Sequence, residues 1–340
     1  MLKLKLPHKL TISHSGVFIL LTLALTALFF TDLIWGSIRI PFNEIIRTFA
    51  GGKSNPVNTE ILLNFRLPKA FTAILTGSAL SVAGLMMQTL FRNPLADPYV
   101  MGVSSGASLG VALVTMSAGL FPFIAVGNSS VMILSAIIGA SVILLLVLSV
   151  SFKIQNTASL LIVGIMFGTI ASSIVSVLQY FGNPDAIKLF IMWNLGSLSG
   201  ITWGQLIYLF PIVVSGLILA FYLQKKMDAI LLGENYASGL GISVRQTRFL
   251  IIVSTGILTG AMTAFTGPIA FIGIAVPHLA RSLFRTSKHQ TLILASILIG
   301  SVLILLCDIV SQIPTYTLPI NTITSLFGAP VIIWIILRRK

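Results

Sequence analysis

The chain has 340 residues, 56% of them hydrophobic and 9% charged, with a mean hydropathy of +1.02. A soluble domain is about a quarter charged, so this composition excludes a soluble globular enzyme and leaves no length for a sizeable soluble domain. A net charge of +13 would point to nucleic acid in a soluble chain, but at this hydropathy it is a topology signal. The single cysteine, Cys307, lies in an apolar run and excludes an intramolecular disulfide.

Lys3, Lys5 and Lys9 precede an apolar run over 16–30, the layout of a secretory signal. TDLIWG follows where a small-residue cleavage site belongs, so an uncleaved first helix is expected. Apolar runs near the roughly 20 residues that cross a bilayer then recur along the chain. They predict an all-α polytopic membrane protein with ten spans. These lie at about 16–35, 67–90, 99–118, 131–150, 159–180, 203–223, 249–265, 269–283, 291–310 and 321–337.

Between the first two spans the segment 36–60 is polar, with an amphipathic piece at 42–49. Inside it RTFAGGKS imitates a phosphate loop. Arg47 stands where the first glycine must be and no strand precedes it, so it is not a nucleotide site.

Ten spans with the N-terminus inside place fifteen Lys and Arg on the cytoplasmic side, among them Arg92, Lys153, Lys225, Arg245, Arg248 and Arg338. Six (Arg39, Arg47, Lys53, Arg66, Lys69 and Lys188) fall outside, a bias that sets the orientation.

The stretch FRNPLADPYVMGVSSGASLG, residues 91–110, carries the most information. Pro94 and Pro98 remove backbone donors and set φ, so no helix runs through the turn of Arg92, Asn93 and Asp97. A helix is expected to resume after Pro98 with Gly102, Gly106 and Gly110 on one face, a small-xxx-small surface for close packing. A polar break beside such a helix suits a gated passage, and equally an ordinary hairpin. Ala73, Gly77 and Ser81 form a second small-residue face. TGSALSVAG and TGAMTAFTG each lead into a proline-broken segment, NPLADP and GPIAFIGIAVPH, in the opposed senses of an inverted repeat.

Of the eight acids, all but Asp308 fall near span ends or in loops. A charge at the bilayer centre costs roughly 2.5–3.5 kcal/mol, so Asp308 is expected near the outer edge or hydrogen-bonded. His278 is expected to cap backbone freed by Pro277. With no HExxH and no paired intramembrane aspartates, neither a membrane-embedded enzyme nor a proton relay is favoured, and the driving energy comes from elsewhere. Residues 227–241 supply a means: Ala229, Leu232, Tyr236 and Leu240 share a face, broken at Gly233 and Gly239 into two short helices. Such a pair suits docking of a soluble partner or rest on the lipid interface.

Several stretches together resemble the FecCD-type permease subunits of ABC importers for iron–siderophore, haem or cobalamin. They are RLPKAFTAILTGSALSVAG, QTLFRNPLADPYVMGVSSGA, MWNLGSLSG, LLGENYASGLGISV, GPIAFIGIAVPHLAR and LPINTITSLFGAP, running in order from Arg66 to Pro330.

The resemblance implies one permease domain over 1–340, with a coupling segment at about 227–243. It implies a homodimer in the bacterial inner membrane, with both termini cytoplasmic and no cofactor. Two cytoplasmic ATPase subunits and a periplasmic substrate-binding protein are the implied partners. Import would proceed by alternating access without a nucleotide site in this chain; an ion-coupled secondary transporter is the alternative.

By motif, Asn93, Leu95, Thr157 and Ala158 match the cytoplasmic gate. Leu231, Gly233, Glu234, Ala237, Leu240 and Gly241 match the ATPase-coupling helices, and Arg66 and Lys69 the outward basic pair that meets the binding protein. An exposed ion pair contributes about 0.2–1 kcal/mol, so that pair would steer rather than hold. TYTLPIN departs from the family's pattern, with Thr317 and Asn321 in place of Glu and Gly, and Gln312 stands where a further outward Arg is expected.

Overall fold

The computed structural model describes residues 14–36, 38–52, 54–116, 128–154, 156–314 and 316–337. Lys3, Lys5, Lys9, Lys53, Arg338, Arg339 and Lys340, and the end of the third expected span, lie outside them. Helix α1 (His14–Ile34) is followed by α2 (Phe42–Phe49), the expected amphipathic piece, which buries Ile45 and leaves Phe42, Ile46 and Phe49 exposed. The short α3 (Pro56–Glu60) and a wide π-type turn over Ile61–Arg66 lead into α4 (Leu67–Leu90).

Then come α5 (Val103–Met116), α6 (Ser129–Ser151), α7 (Thr157–Phe181), α8 (Pro184–Asn194) and α9 (Trp203–Tyr222). Asn128, Asn156 and Asn183 start α6, α7 and α8 by accepting the N–H two residues on, at 2.8–2.9 Å. Two short helices, α10 (Gln224–Leu232) and α11 (Glu234–Gly239), precede α12 (Val244–Thr266), α13 (Ile272–Phe284), α14 (His289–Ser311) and α15 (Ile320–Leu337). Among the described residues seven helices are long and apolar enough to cross a membrane, and Val103–Met116, Ile272–Phe284 and Ile320–Ile333 are shorter apolar helices. Those ten correspond in order to the ten expected spans.

Helix α4 is buried along nearly its whole length, with α9, α12, α13 and α14 packed around it. Small residues make this approach possible: a Cβ on Gly77 would collide with the Gly300 backbone of α14, and one on Gly84 with the Gly273 backbone of α13. Hydroxyls cross the same seam. Ser78 and Ser301 Oγ lie 3.0 Å apart, and Ser81 Oγ donates to the Ser296 carbonyl at 2.8 Å.

The expected three-glycine face on α5 is not formed. Gly106 and Gly110 do meet α6, at Gly139 and Ser135, but Gly102 precedes the helix. With φ of 75° it closes a 3-10 turn over Pro98–Met101 and faces Gly164 and Gly168 of α7. A left-handed residue has to end the turn that Pro98 starts, which takes Gly102 out of the helical register.

Where α1, α4 and α14 meet, the structure corrects two further expectations. Arg66 and Lys69 are not exposed: each is only 7% accessible. Lys69 Nζ lies 2.6 Å from Asp308 Oδ2 and 3.6 Å from Asp32 Oδ1, and Gln312 Nε2 donates to both carboxylates. Arg66 donates to the Leu33 carbonyl at 2.5 Å and to that of Ile38. Asp308 is hydrogen-bonded as expected, but it is not a lone acid, because Asp32 is fully buried beside it. Two acids and two bases cancel locally, which is the condition for burying any of them.

Two stability measurements probe this packing. Lys69→Met leaves two carboxylates facing each other and is expected to cost about 3–5 kcal/mol, seen as a lower Tm of the purified protein, with Lys69→Met/Asp308→Asn recovering part of it. Gly300→Val forces a side chain into the α4 backbone, and the expected loss is at least the ~1–3 kcal/mol of overpacking. A wild-type melting curve for Gly300→Val would mean the two backbones are not in contact.

Candidate functional site

The end of the bundle that carries Arg92, Lys153 and Lys225 gathers the loop after α4, the α6–α7 turn, α10, α11 and the starts of α12 and α14. The chain leaves α4 through Arg92, whose φ of 46° occupies the left-handed position usually given to glycine. The Asn93 N–H then returns to the Gln88 carbonyl at 3.2 Å. A large side chain in that strained conformation is informative: Arg92 Nη2 reaches the Ile230 carbonyl of α10 at 3.1 Å, a link glycine would not make.

The turn itself is held by its own side chains. Asn93 Oδ1 accepts the Leu95 N–H at 2.9 Å, and Asp97 Oδ1 accepts the Tyr99 N–H at 2.8 Å. Burial pushes the Asp97 carboxyl up to about 6, against the Tyr99 hydrogen bond that lowers it. The turn docks on the break between α12 and α13, so the two proline segments singled out by sequence meet in space. Tyr99 OH accepts the Ile269 N–H at 3.1 Å, and Pro98 packs on Gly273.

His278 reaches across to the turn after α4. Its Nε2–H donates to the Pro94 carbonyl at 2.9 Å, while Gln88 Nε2 lies 3.3 Å from the Gly273 carbonyl that Pro277 leaves open. Two of the three departures from the family pattern also acquire roles. Asn321 Oδ1 accepts the Ala270 N–H at 3.0 Å across the same break, and Gln312 belongs to the buried Lys69 cluster.

Asn93 and Leu95 are exposed, as is Ala158, with Thr157 half-buried at the first turn of α7. Among the described residues no hydrogen bond joins the Asn93–Leu95 turn to Thr157 or Ala158. Both turns lie at the same end of the bundle.

The 224–241 segment breaks at Gly233, where φ of 133° suits only glycine, and ends at Gly241 with φ of 77°. Leu231, Leu232, Tyr236 and Leu240 are exposed, whereas Ala237 is buried. Ala229 does not share the exposed face as expected; it is buried with Met227 and Ile230 against the bundle.

Three polar links anchor the inner side of this segment. Besides Arg92, Asp228 Oδ1 accepts from the His289 backbone N–H at 2.9 Å and pairs with His289 Nδ1 at 2.7 Å. The other ring nitrogen, Nε2, meets Thr89 Oγ1 of α4 at 2.7 Å. Glu234 Oε1 lies 3.1 Å from Arg248 Nη2 of α12. The sequence marks Arg92 as part of the proline-broken turn and Arg248 as a cytoplasmic base, but gives neither a partner, and it does not single out Asp228 or His289. The only available signal was charged residues at span ends, which also describes every solvated one.

The comparisons bear on the whole chain. The model of the FecCD transport family matches residues 23–338. The hemin transport system permease of Yersinia pestis is 34% identical over 327 residues, covering 95% of each chain. The vitamin B12 import permease of Salmonella typhimurium is 35% identical over 279 residues, 80% of this chain and 82% of the relative. A solved structure described as an inward-facing conformation of a metal-chelate type ABC transporter superposes with a TM-score of 0.84 at 28% identity, covering 95% of this chain and 99% of that one. With ten apolar helices matching ten expected spans and a family match over nearly the full length, this chain is a multi-pass membrane protein of the FecCD transport family.

Proposed function

We propose that the chain is the permease subunit of an ATP-driven importer carrying an iron–siderophore complex, haem or cobalamin. One observation carries the mechanism. The α10–α11 segment presents Leu231, Leu232, Tyr236 and Leu240 outward while its inner side is tied to α4, α12 and α14. An apolar face held on rigid struts suits a soluble partner that moves it. In this reading the partner is an ATPase subunit, the segment lies in the cytoplasm, and a periplasmic binding protein delivers cargo from the other side of the inner membrane.

The Arg92 link gives the motion a route. Arg92 is bonded to α10 and adjoins Asn93 in the chain, so displacement of α10 is transmitted to the Asn93–Leu95 turn. Asn93, Leu95 and Ala158 are exposed at one end of the bundle, which leaves them free to form a gate with a second copy of the chain. A homodimer with its pathway on the two-fold axis supplies that copy, and alternating access follows when the coupling segments switch both gates together. ATP hydrolysis belongs to the partner.

Gly233→Val blocks the φ of 133°, and Glu234→Lys places like charges beside Arg248. In proteoliposomes with the partner ATPase, either substitution is expected to leave ATP hydrolysis running and abolish cargo uptake. Normal uptake would refute the coupling role, and uptake without any ATPase would favour an ion-coupled carrier.

The Asp228–His289 link is tested by pH. Burial raises the Asp228 pKa, but the His289 hydrogen bonds and the nearby charges of His289 and Lys288 outweigh it and hold the carboxyl below its usual value. A depressed acid contributes stability that is present above its unfolded pKa of about 3.9 and lost as pH falls through the folded value. The Tm is therefore expected to drop more steeply below about pH 5 for wild type than for Asp228→Asn. Parallel curves would mean the link does not hold α10.

A further inference from the structure

Between the end of α6 and the start of α12 lies a cavity of about 250 Å³, lined by Ser151, Phe152, Ile154, Glu234, Arg245 and Arg248. Its charge is unbalanced. Two guanidinium groups from successive turns of α12 face one carboxylate, the N-terminal end of a 23-residue helix adds positive potential, and Lys153 is exposed in the adjoining turn.

Arg248 is only 7% exposed. Its Nη1 donates to the Ile154 carbonyl at 3.2 Å and its Nη2 pairs with Glu234, yet its buried Nε–H has no hydrogen-bond partner. An unmade buried donor carries a full desolvation penalty, and a guanidinium edge is shaped for oxygens of a planar or tetrahedral anion. Arg245 is exposed beside it, its guanidinium 5.3 Å above the Phe152 ring.

We propose that this cavity binds a phosphate-bearing anion through Arg248 and Arg245. The expected source is the headgroup of an anionic phospholipid, and free inorganic phosphate is the other source of the same chemistry. Placement favours the lipid. The cavity sits where one membrane-spanning helix ends and another begins, the level at which anionic headgroups meet basic side chains, and Phe152 is half-exposed at its rim. Because Glu234 shares Arg248, occupancy is read by a residue of the coupling segment.

The test is native mass spectrometry and lipid titration of the full-length purified chain with phosphatidylglycerol, phosphatidylcholine and inorganic phosphate. Arg248→Gln removes a buried contact and is liable to unfold, so exposed Arg245→Gln is the working variant. Lys226→Gln, at the same end but outside the cavity, controls for general basicity.

Phosphatidylglycerol is expected to bind at least about tenfold more tightly than phosphatidylcholine, and Arg245→Gln to weaken it about tenfold with Lys226→Gln changing it far less. If inorganic phosphate displaces the lipid with the same dependence on Arg245, the site is a phosphate site whose source is free phosphate. Equal binding of both lipids, or equal effects of Arg245→Gln and Lys226→Gln, would overturn the proposal.

Discussion

Helix α4 lies against two other helices backbone to backbone, at Gly77–Gly300 and Gly84–Gly273. In a bilayer the lipid tails are as apolar as the side chains, so burial alone does not drive helices together. Close dispersion contact and interhelical hydrogen bonds do that instead. Bare glycines give that contact, and Ser78, Ser81 and Ser301 add the hydrogen bonds. Helices α9, α12, α13 and α14 are therefore positioned directly against α4, and α5 and α6 are positioned through α12.

Both ends of that helix are fixed, and by different chemistry. At one end Lys69 engages Asp32 of α1 and Asp308 of α14. At the other, Thr89 meets His289, and Arg92, just past the helix, holds Ile230 of α10. In the proposed transport cycle a push on α10 therefore enters at one end of a rod that is clamped at the other, next to the Asn93–Leu95 turn. The positive φ of Arg92 fits this picture: a strained arginine is kept where glycine would be relaxed but mute.

The buried Lys69 cluster also shows how the docking expectation went astray. RLPK reads as an exposed basic motif because Arg and Lys near a span end are ordinarily solvated. Here the acids that neutralise Lys69 come from α1 and α14, on opposite sides of the chain from it in sequence. Gln312 joins them as a neutral donor to both carboxylates, which explains why that position does not carry another base beside Lys69 and Arg66.

What the sequence determined by itself was whatever depends on composition over a short window. All ten apolar helices, the amphipathic α2 and the break at Gly233 were legible, because hydropathy, helical period and the freedom of glycine are local properties. Tertiary structure decided which side chain answers which. Asp32 to Lys69, Asp228 to His289, Arg92 to Ile230 and His278 to Pro94 are partners far apart in the chain, and nothing in either member's neighbourhood announces the other. Even Gly102, four residues from Gly106, faces a different helix, since the turn before α5 rather than the spacing sets its direction. In a low-dielectric interior each of these polar groups must find a partner, and only the packed arrangement of helices determines which one it meets.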